Sequence, residues 1–164
     1  MIQPSLRSPA DQGLKQFKGE VLEVSDADTF VIKHYSHAHR VRLHYVDAPE
    51  IAHNKREVSQ PLGPEAASFA RQRWAGHTVI VKVKGKSYDR YVADVFDEDS
   101  GESLAMVLVT KGYAQVDPRF HPPADLQAAQ KVAVEKGVGV WSLEKPIPPW
   151  EWRRLKEGKA KDGT

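Results

Sequence analysis

Between residues 19 and 97 the chain is a series of short apolar or alternating runs, each cut off by turn residues, and this pattern limits its folds most. Residues 19–24 read as a first strand. Residues 29–34 are rich in β-branched and aromatic side chains and read as a second, with Asp26-Ala27-Asp28 turning the chain between them. In residues 40–46, Val41, Leu43 and Tyr45 alternate with Arg40, Arg42 and His44, the period of a strand with one buried face. That run ends at Asp47-Ala48-Pro49-Glu50, because proline has no N–H to give to a ladder. Residues 77–85 supply a fourth strand, with Val79, Val81 and Val83 opposite a lysine face, and residues 91–97 a fifth.

Three helical stretches interrupt or follow the strands. Gly63-Pro64-Glu65 opens the first: glycine is acceptable as a cap, proline suits the first turn, and Glu65 faces the positive helix end. Residues 103–111 close on Gly112, and residues 124–136 close on Gly137, both plausible C-caps. Five short strands with helices inserted predict an α+β fold, a five-stranded OB-fold-type barrel carrying three helices. The 164 residues suit one such domain. The predicted organisation is a flexible arm over 1–18, a barrel domain over 19–143, and a Pro/Trp-rich charged tail over 144–164. The tail is expected to be irregular and its last residues, 156–164, disordered. Trp150 and Trp152 with Arg153 and Arg154 are expected to pack on the barrel in preference to stacking on nucleic acid.

Zero cysteines exclude a disulfide scaffold, a thiol nucleophile and a Cys-type zinc site. No apolar run approaches the roughly 18 residues of a membrane span, and the first 19 residues show no apolar signal core. The net charge of +2 conceals one basic stretch. Residues 71–90 hold six basic side chains against Asp89 alone, a balance of +5. Such a patch is the footprint of a polyanion binder, although on charge alone lysines at strand period favour a solvated strand face.

Asp28, Arg42, Asp47, Glu50 and Arg90 fall at predicted strand ends, where a rigid scaffold often carries function. Hard cations such as Ca²⁺ take carboxylate and carbonyl oxygens, which Asp28, Asp47 and Ala48 can offer. Arginine matches phosphate with a bidentate fork, and a nearby carboxylate can take a proton from attacking water. Together these are the parts of phosphodiester hydrolysis. Taken singly, the same acids also suit ordinary turns. A rival set, His34, His37, His39 and His44, groups imidazoles of the kind that take Zn²⁺ or Ni²⁺, at a spacing that fits no familiar zinc motif.

Five segments resemble the staphylococcal nuclease (thermonuclease) family: Ser25-Asp26-Ala27-Asp28-Thr29, the run from Arg42 to Glu50, Gly63-Pro64-Glu65-Ala66, Tyr88-Asp89-Arg90-Tyr91-Val92-Ala93, and Val140-Trp141-Ser142. The second and fourth are the specific ones. The resemblance implies a calcium-dependent nuclease that cuts the P–O5′ bond of DNA and RNA and leaves 3′-phosphates. It implies Asp28 and Asp47 as Ca²⁺ ligands through carboxylates and Ala48 through its carbonyl. It implies Glu50 as general base, and Arg42 and Arg90 as clamps on the scissile phosphate. Tyr88 and Phe120 are the implied substrate contacts, with Lys86 beside them at the end of the basic stretch. DNA and RNA are then the partners, with no membrane and a monomeric chain, and export to a secreted or periplasmic location is favoured by the resemblance alone. The alternative is a noncatalytic barrel of the same type that binds nucleic acid or protein.

Several residues depart from the family pattern. Ala27 and Asp89 stand where glycines are usual, so Ala27 requires a backbone without strongly positive φ. A carboxylate at Asp89 is expected to weaken anion binding beside Arg90. Pro118 cannot replace a tyrosine hydroxyl, whereas Phe120 can still stack on a base.

Overall fold

The computed structural model describes residues 14–162. Strands β1 (Gln16–Asp26), β2 (Thr29–His34) and β3 (His37–Leu43) form an antiparallel meander. A two-residue strand β4 (Val46–Asp47) follows, then a loop and helix α1 (Gly63–Trp74). Strands β5 (Thr78–Ser87) and β6 (Arg90–Asp97) form a hairpin, and α2 (Leu104–Lys111) leads to β7 (Gln115–Val116). Helices α3 (Ala124–Lys136) and α4 (Pro149–Asp162) complete the chain, with 3₁₀ turns at Pro118–Phe120 and Gly139–Ser142. The large sheet closes in the order β1-β2-β3-β6-β5, with β3 and β6 pairing parallel. The fold is the expected α+β barrel of five strands.

Alternation builds the interior. Phe30 and Ile32 of β2, Val41 and Leu43 of β3, and Val79 and Val81 of β5 are fully buried. Each such side chain contributes roughly 1.5–3 kcal/mol on leaving water. Trp74 at the end of α1 joins this core edge-on to Phe30, with ring centroids 6.1 Å apart. The Ser103 hydroxyl accepts from the Met106 N–H at 3.2 Å and caps α2, and Gly112 ends that helix at φ 73°. A Cβ at Gly112 would collide with the Val138 carbonyl, so this close approach also requires glycine.

The structure corrects four details of the sequence reading. Strand β1 begins at Gln16, inside the stretch read as an arm, while residues 1–13 of that arm lie outside the described residues. The cap of α1 is Leu62, in left-handed geometry at φ 69°, and Gly63 is already helical. The run expected to continue over 40–46 stops at Leu43. Here Tyr45 adopts φ 70°, a left-handed turn that takes the chain out of the barrel and over to β7. Finally, the expected irregular tail contains a fourth helix, α4, that runs through much of the segment read as disordered. Its prolines mark a start: Pro149 is the first helical residue, where a missing N–H costs nothing. The Pro148 carbonyl accepts from Glu151 N and Trp152 N at 2.9 and 3.0 Å. Among the described residues no helix is long and apolar enough to cross a membrane.

Candidate active site

One end of the barrel collects the strand-end residues into a cleft of about 400 Å³. The local geometry follows from pairing. Thr29 of β2 pairs with Arg42 of β3, which sets Asp28 beside the arginine, and Leu43 N donates to the Asp28 carbonyl at 2.9 Å. The left-handed turn at Tyr45 then brings Asp47 back to the same place, where it pairs with Gln115. Asp28 Oδ2 accepts from Ala48 N at 2.8 Å and Oδ1 from Thr29 Oγ1 at 2.9 Å. Arg42 Nη2 lies 3.0 Å from Asp47 Oδ1 and 3.8 Å from Asp28 Oδ2. Arg90, at the start of the strand beside β3, lines the same cleft.

Glu50 is fixed through its backbone. Its N–H donates to Gln60 Oε1 at 3.1 Å, and its carbonyl accepts from Gln60 N at 2.8 Å. A Cβ on Gly63 would strike the Glu50 carbonyl, so the start of α1 sits directly against this segment. Buried Gln60 thus holds both backbone groups of Glu50, a contact that no motif in the sequence announces.

The electrostatics are tense in both directions. Burial, then the neighbouring Asp28 and Glu50 carboxylates, push the Asp26 pKa up to about 6. Burial also raises Asp47, with Asp28 adding to the push and Arg153 and Arg42 opposing it. Arg90 is shifted the other way, below its ordinary value, by burial and then by Arg42. Two partly buried positive charges side by side repel each other and both attract an anion, so a bound phosphate would relieve the repulsion.

Arg153 is the residue the sequence did not reveal. It reaches in from α4, with Nη2 2.6 Å from Asp47 Oδ2, Nη1 3.2 Å from Asp47 Oδ1, and a further hydrogen bond from Nη1 to Glu50 Oε1. Burial works against its charge, but the hydrogen bonds and negative charge of Asp47 and Glu50 outweigh that and raise its pKa. Arg119 also lines the cleft, bound to Asp117 through Nε at 3.0 Å and Nη2 at 2.7 Å. No local motif announces Arg153, because its partners lie more than a hundred positions away in the chain.

The implied substrate contacts separate. Phe120 and Lys86 line an adjoining groove that shares Arg42, Arg90 and Phe120 with the main cleft. Phe120 is 45 % exposed, and its ring lies 5.9 Å from that of His44. Tyr88 does not line either cleft; it is 94 % exposed at the β5–β6 tip, at φ 58°. The positive φ of that turn therefore falls on Tyr88 and not on Asp89, whose carboxylate is 3.9 Å from Arg40. Ala27 is fully buried without positive φ, so its methyl is accommodated. The basic stretch is partly spoken for: Lys84 lies 3.6 Å from Asp94, and Lys82 sits over the Phe96 ring.

Asp28, Asp47 and Ala48 are hard oxygen donors of the kind Ca²⁺ takes, so the donor chemistry fits that cation. Both Asp47 oxygens, however, are engaged by Arg153. Among the described residues no three His, Asp or Glu side chains are already grouped to hold a metal ion. Of the rival histidines, His34 and His39 lie against Phe17, at 5.1 and 5.5 Å, His37 lies 6.3 Å from the His39 ring, and His44 stacks apart on Tyr45.

The family described as staphylococcal nuclease homologue matches residues 40–143, well over half of the chain. The chain belongs to this family. An uncharacterised endonuclease of Escherichia coli is 31 % identical over 139 residues, covering 84 % of this chain and 86 % of its own. A micrococcal nuclease of Shigella flexneri is 31 % identical over 152 residues, covering 84 % and 81 %. An uncharacterised endonuclease of Haemophilus influenzae is 33 % identical over 137 residues, covering 82 % and 71 %. The matched span of this staphylococcal nuclease homologue includes Arg42, Asp47, Glu50 and Arg90 but neither Asp28 nor α4.

Proposed function

We propose that this protein hydrolyses phosphodiester bonds of DNA and RNA with Ca²⁺, cutting P–O5′ and leaving 3′-phosphates. The observation that carries this reading is the convergence of Asp28, Asp47, Glu50, Arg42 and Arg90 on one cleft at the barrel end. Family membership supports the reaction class. Asp28 and Asp47, with the Ala48 carbonyl, are the residues that would hold the cation. When bound, it supplies positive charge at a phosphate oxygen. Arg42 and Arg90 stabilise the charge that builds on the equatorial oxygens, in a cleft where water screens poorly. Glu50 accepts the proton of the attacking water as its oxygen bonds to phosphorus. The P–O5′ bond breaks, and the leaving oxygen takes a proton from solvent. The groove holding Phe120 and Lys86 adjoins Arg42 and Arg90, so a nucleotide next to the reacting phosphate rests there, its base on Phe120.

One observation favours a second reading, a barrel that binds nucleic acid or protein without cleaving it. Arg153 pairs with both Asp47 and Glu50, the two groups the chemistry most needs. The test is incubation of plasmid DNA and of RNA with Ca²⁺, with Mg²⁺ and with chelator. Degradation with Ca²⁺ that stops in chelator is the expected result. Tight DNA binding with no degradation at any enzyme level would replace the nuclease reading by the second.

A further inference from the structure

The pairing that speaks against cleavage has a more specific consequence. We propose that Arg153 is a tethered competitor for the divalent cation, and that α4 is the lid that carries it on and off the site. The inference rests on Asp47 as a cation ligand. Arg153 fills the position a cation would take: it spans both Asp47 oxygens and reaches Glu50 with the same guanidinium. The Asp47 side chain is only 2 % exposed and its Oδ1 is already shared by Arg42 and Arg153, so a metal ion at these oxygens competes with the Arg153 guanidinium for the same lone pairs and the same charge. A divalent ion in that place interacts more strongly with the same carboxylates than one delocalised positive charge does. Binding of one therefore expels the other.

The seat of α4 is built for release. Besides Arg153, Lys156 lies 3.7 Å from Glu57 and Trp150 sits 5.5 Å from the Arg119 guanidinium, and just ahead of the helix Gln60 Nε2 donates to the Ile147 carbonyl at 2.6 Å. Apolar burial is confined to the start of the helix, where Pro149 is buried and Trp150 and Trp152 are half-buried. Leu155 is 47 % exposed, and Gly158 weakens the helix itself. The Trp152 Nε1 is buried without a partner, a penalty that undocking relieves. Gln60 bonds both to the Glu50 backbone and to the approach to α4, so the base and the lid share one support. A docked fraction near 90–99 % would weaken apparent Ca²⁺ affinity by about ten to a hundredfold, because only the open form binds.

Calorimetric titration with Ca²⁺ and hydrogen exchange of α4 peptides test this on the full chain. Arg153→Gln is expected to bind Ca²⁺ about tenfold tighter or more than wild type. Trp150→Ala leaves the charges around Asp47 unchanged and only loosens the helix, and should gain a smaller factor, about threefold. Saturating Ca²⁺ should lower exchange protection of α4 in wild type and change it much less in Arg153→Gln, whose helix starts less protected. Equal affinities in wild type and Arg153→Gln, or α4 protection that Ca²⁺ leaves intact in wild type, would overturn the proposal alone. Ca²⁺ bound by none of the three proteins would overturn the cation reading and this proposal with it.

Discussion

The cleft has a floor and a roof, and they are made differently. The floor is backbone-built. Asp28, Arg42 and Asp47 stand on or beside strands whose register fixes them, and their oxygens and nitrogens are held by near neighbours in the barrel. The roof is one long side chain on a helix that is seated by its first turn, at Pro149, Trp150 and Trp152, and exposed beyond it at Leu155. Arg153 touches Asp47 and Glu50 across more than a hundred residues of sequence, at the end of a flexible stem. A floor of this kind holds geometry through a reaction, whereas a roof of this kind is suited to changing state. Mutations should separate the two.

The largest effect is expected at the floor. Arg42→Ala should lower kcat for DNA cleavage by about 10²–10³, the cost of losing one electrostatic donor to a transition state. It should leave hydrogen-exchange protection of the barrel strands unchanged. A loss of strand protection of the same order would place Arg42 in folding and erase its distinction from the roof. The next effect falls in the groove between them. Phe120→Ala should raise KM about tenfold on single-stranded DNA with kcat nearly constant, as removal of one stacked base requires. A fall in kcat with KM unchanged would move Phe120 from the groove to the reacting phosphate.

The smallest effect sharpens what the floor costs the fold. Asp26 Oδ1 is buried without a partner, and its carboxyl titrates near 6 against 3.8 in its ordinary state. The folded protein thus holds this proton more tightly than the unfolded chain, so its share of stability is present below pH 3.8 and is lost as pH rises through 6. In chelator, Asp26→Asn should be more stable than wild type at pH 7.5, by about 1 kcal/mol after allowance for solvent screening. The difference should vanish near pH 3.5. Urea unfolding at the two pH values measures it, and a gain that persists at low pH would place the effect outside titration.

The same contrast explains what was legible in the sequence. Strand period and turn residues place Asp28, Arg42, Asp47 and Arg90 correctly, because each is determined by its local run and its pairing partner. Tyr45 shows where local reading stops: alternation carries it into a strand, but a left-handed backbone turns the chain there. Arg153 was hidden for a different reason. A Pro-rich, charged segment reads as irregular from composition, and nothing local shows that Pro149 begins a helix or that its second turn meets Asp47. Gln60 was hidden likewise, since its role is made by backbone atoms of Glu50 that no side-chain pattern announces.

The central claim is Ca²⁺-dependent hydrolysis with Glu50 as base, and steady-state cleavage of an end-labelled oligonucleotide by wild type and Glu50→Gln addresses it most directly. The account predicts 3′-phosphate products from wild type with Ca²⁺, none in chelator, and turnover at least about a hundredfold lower in Glu50→Gln. Equal turnover by the two proteins, or cleavage that continues in chelator, would contradict it.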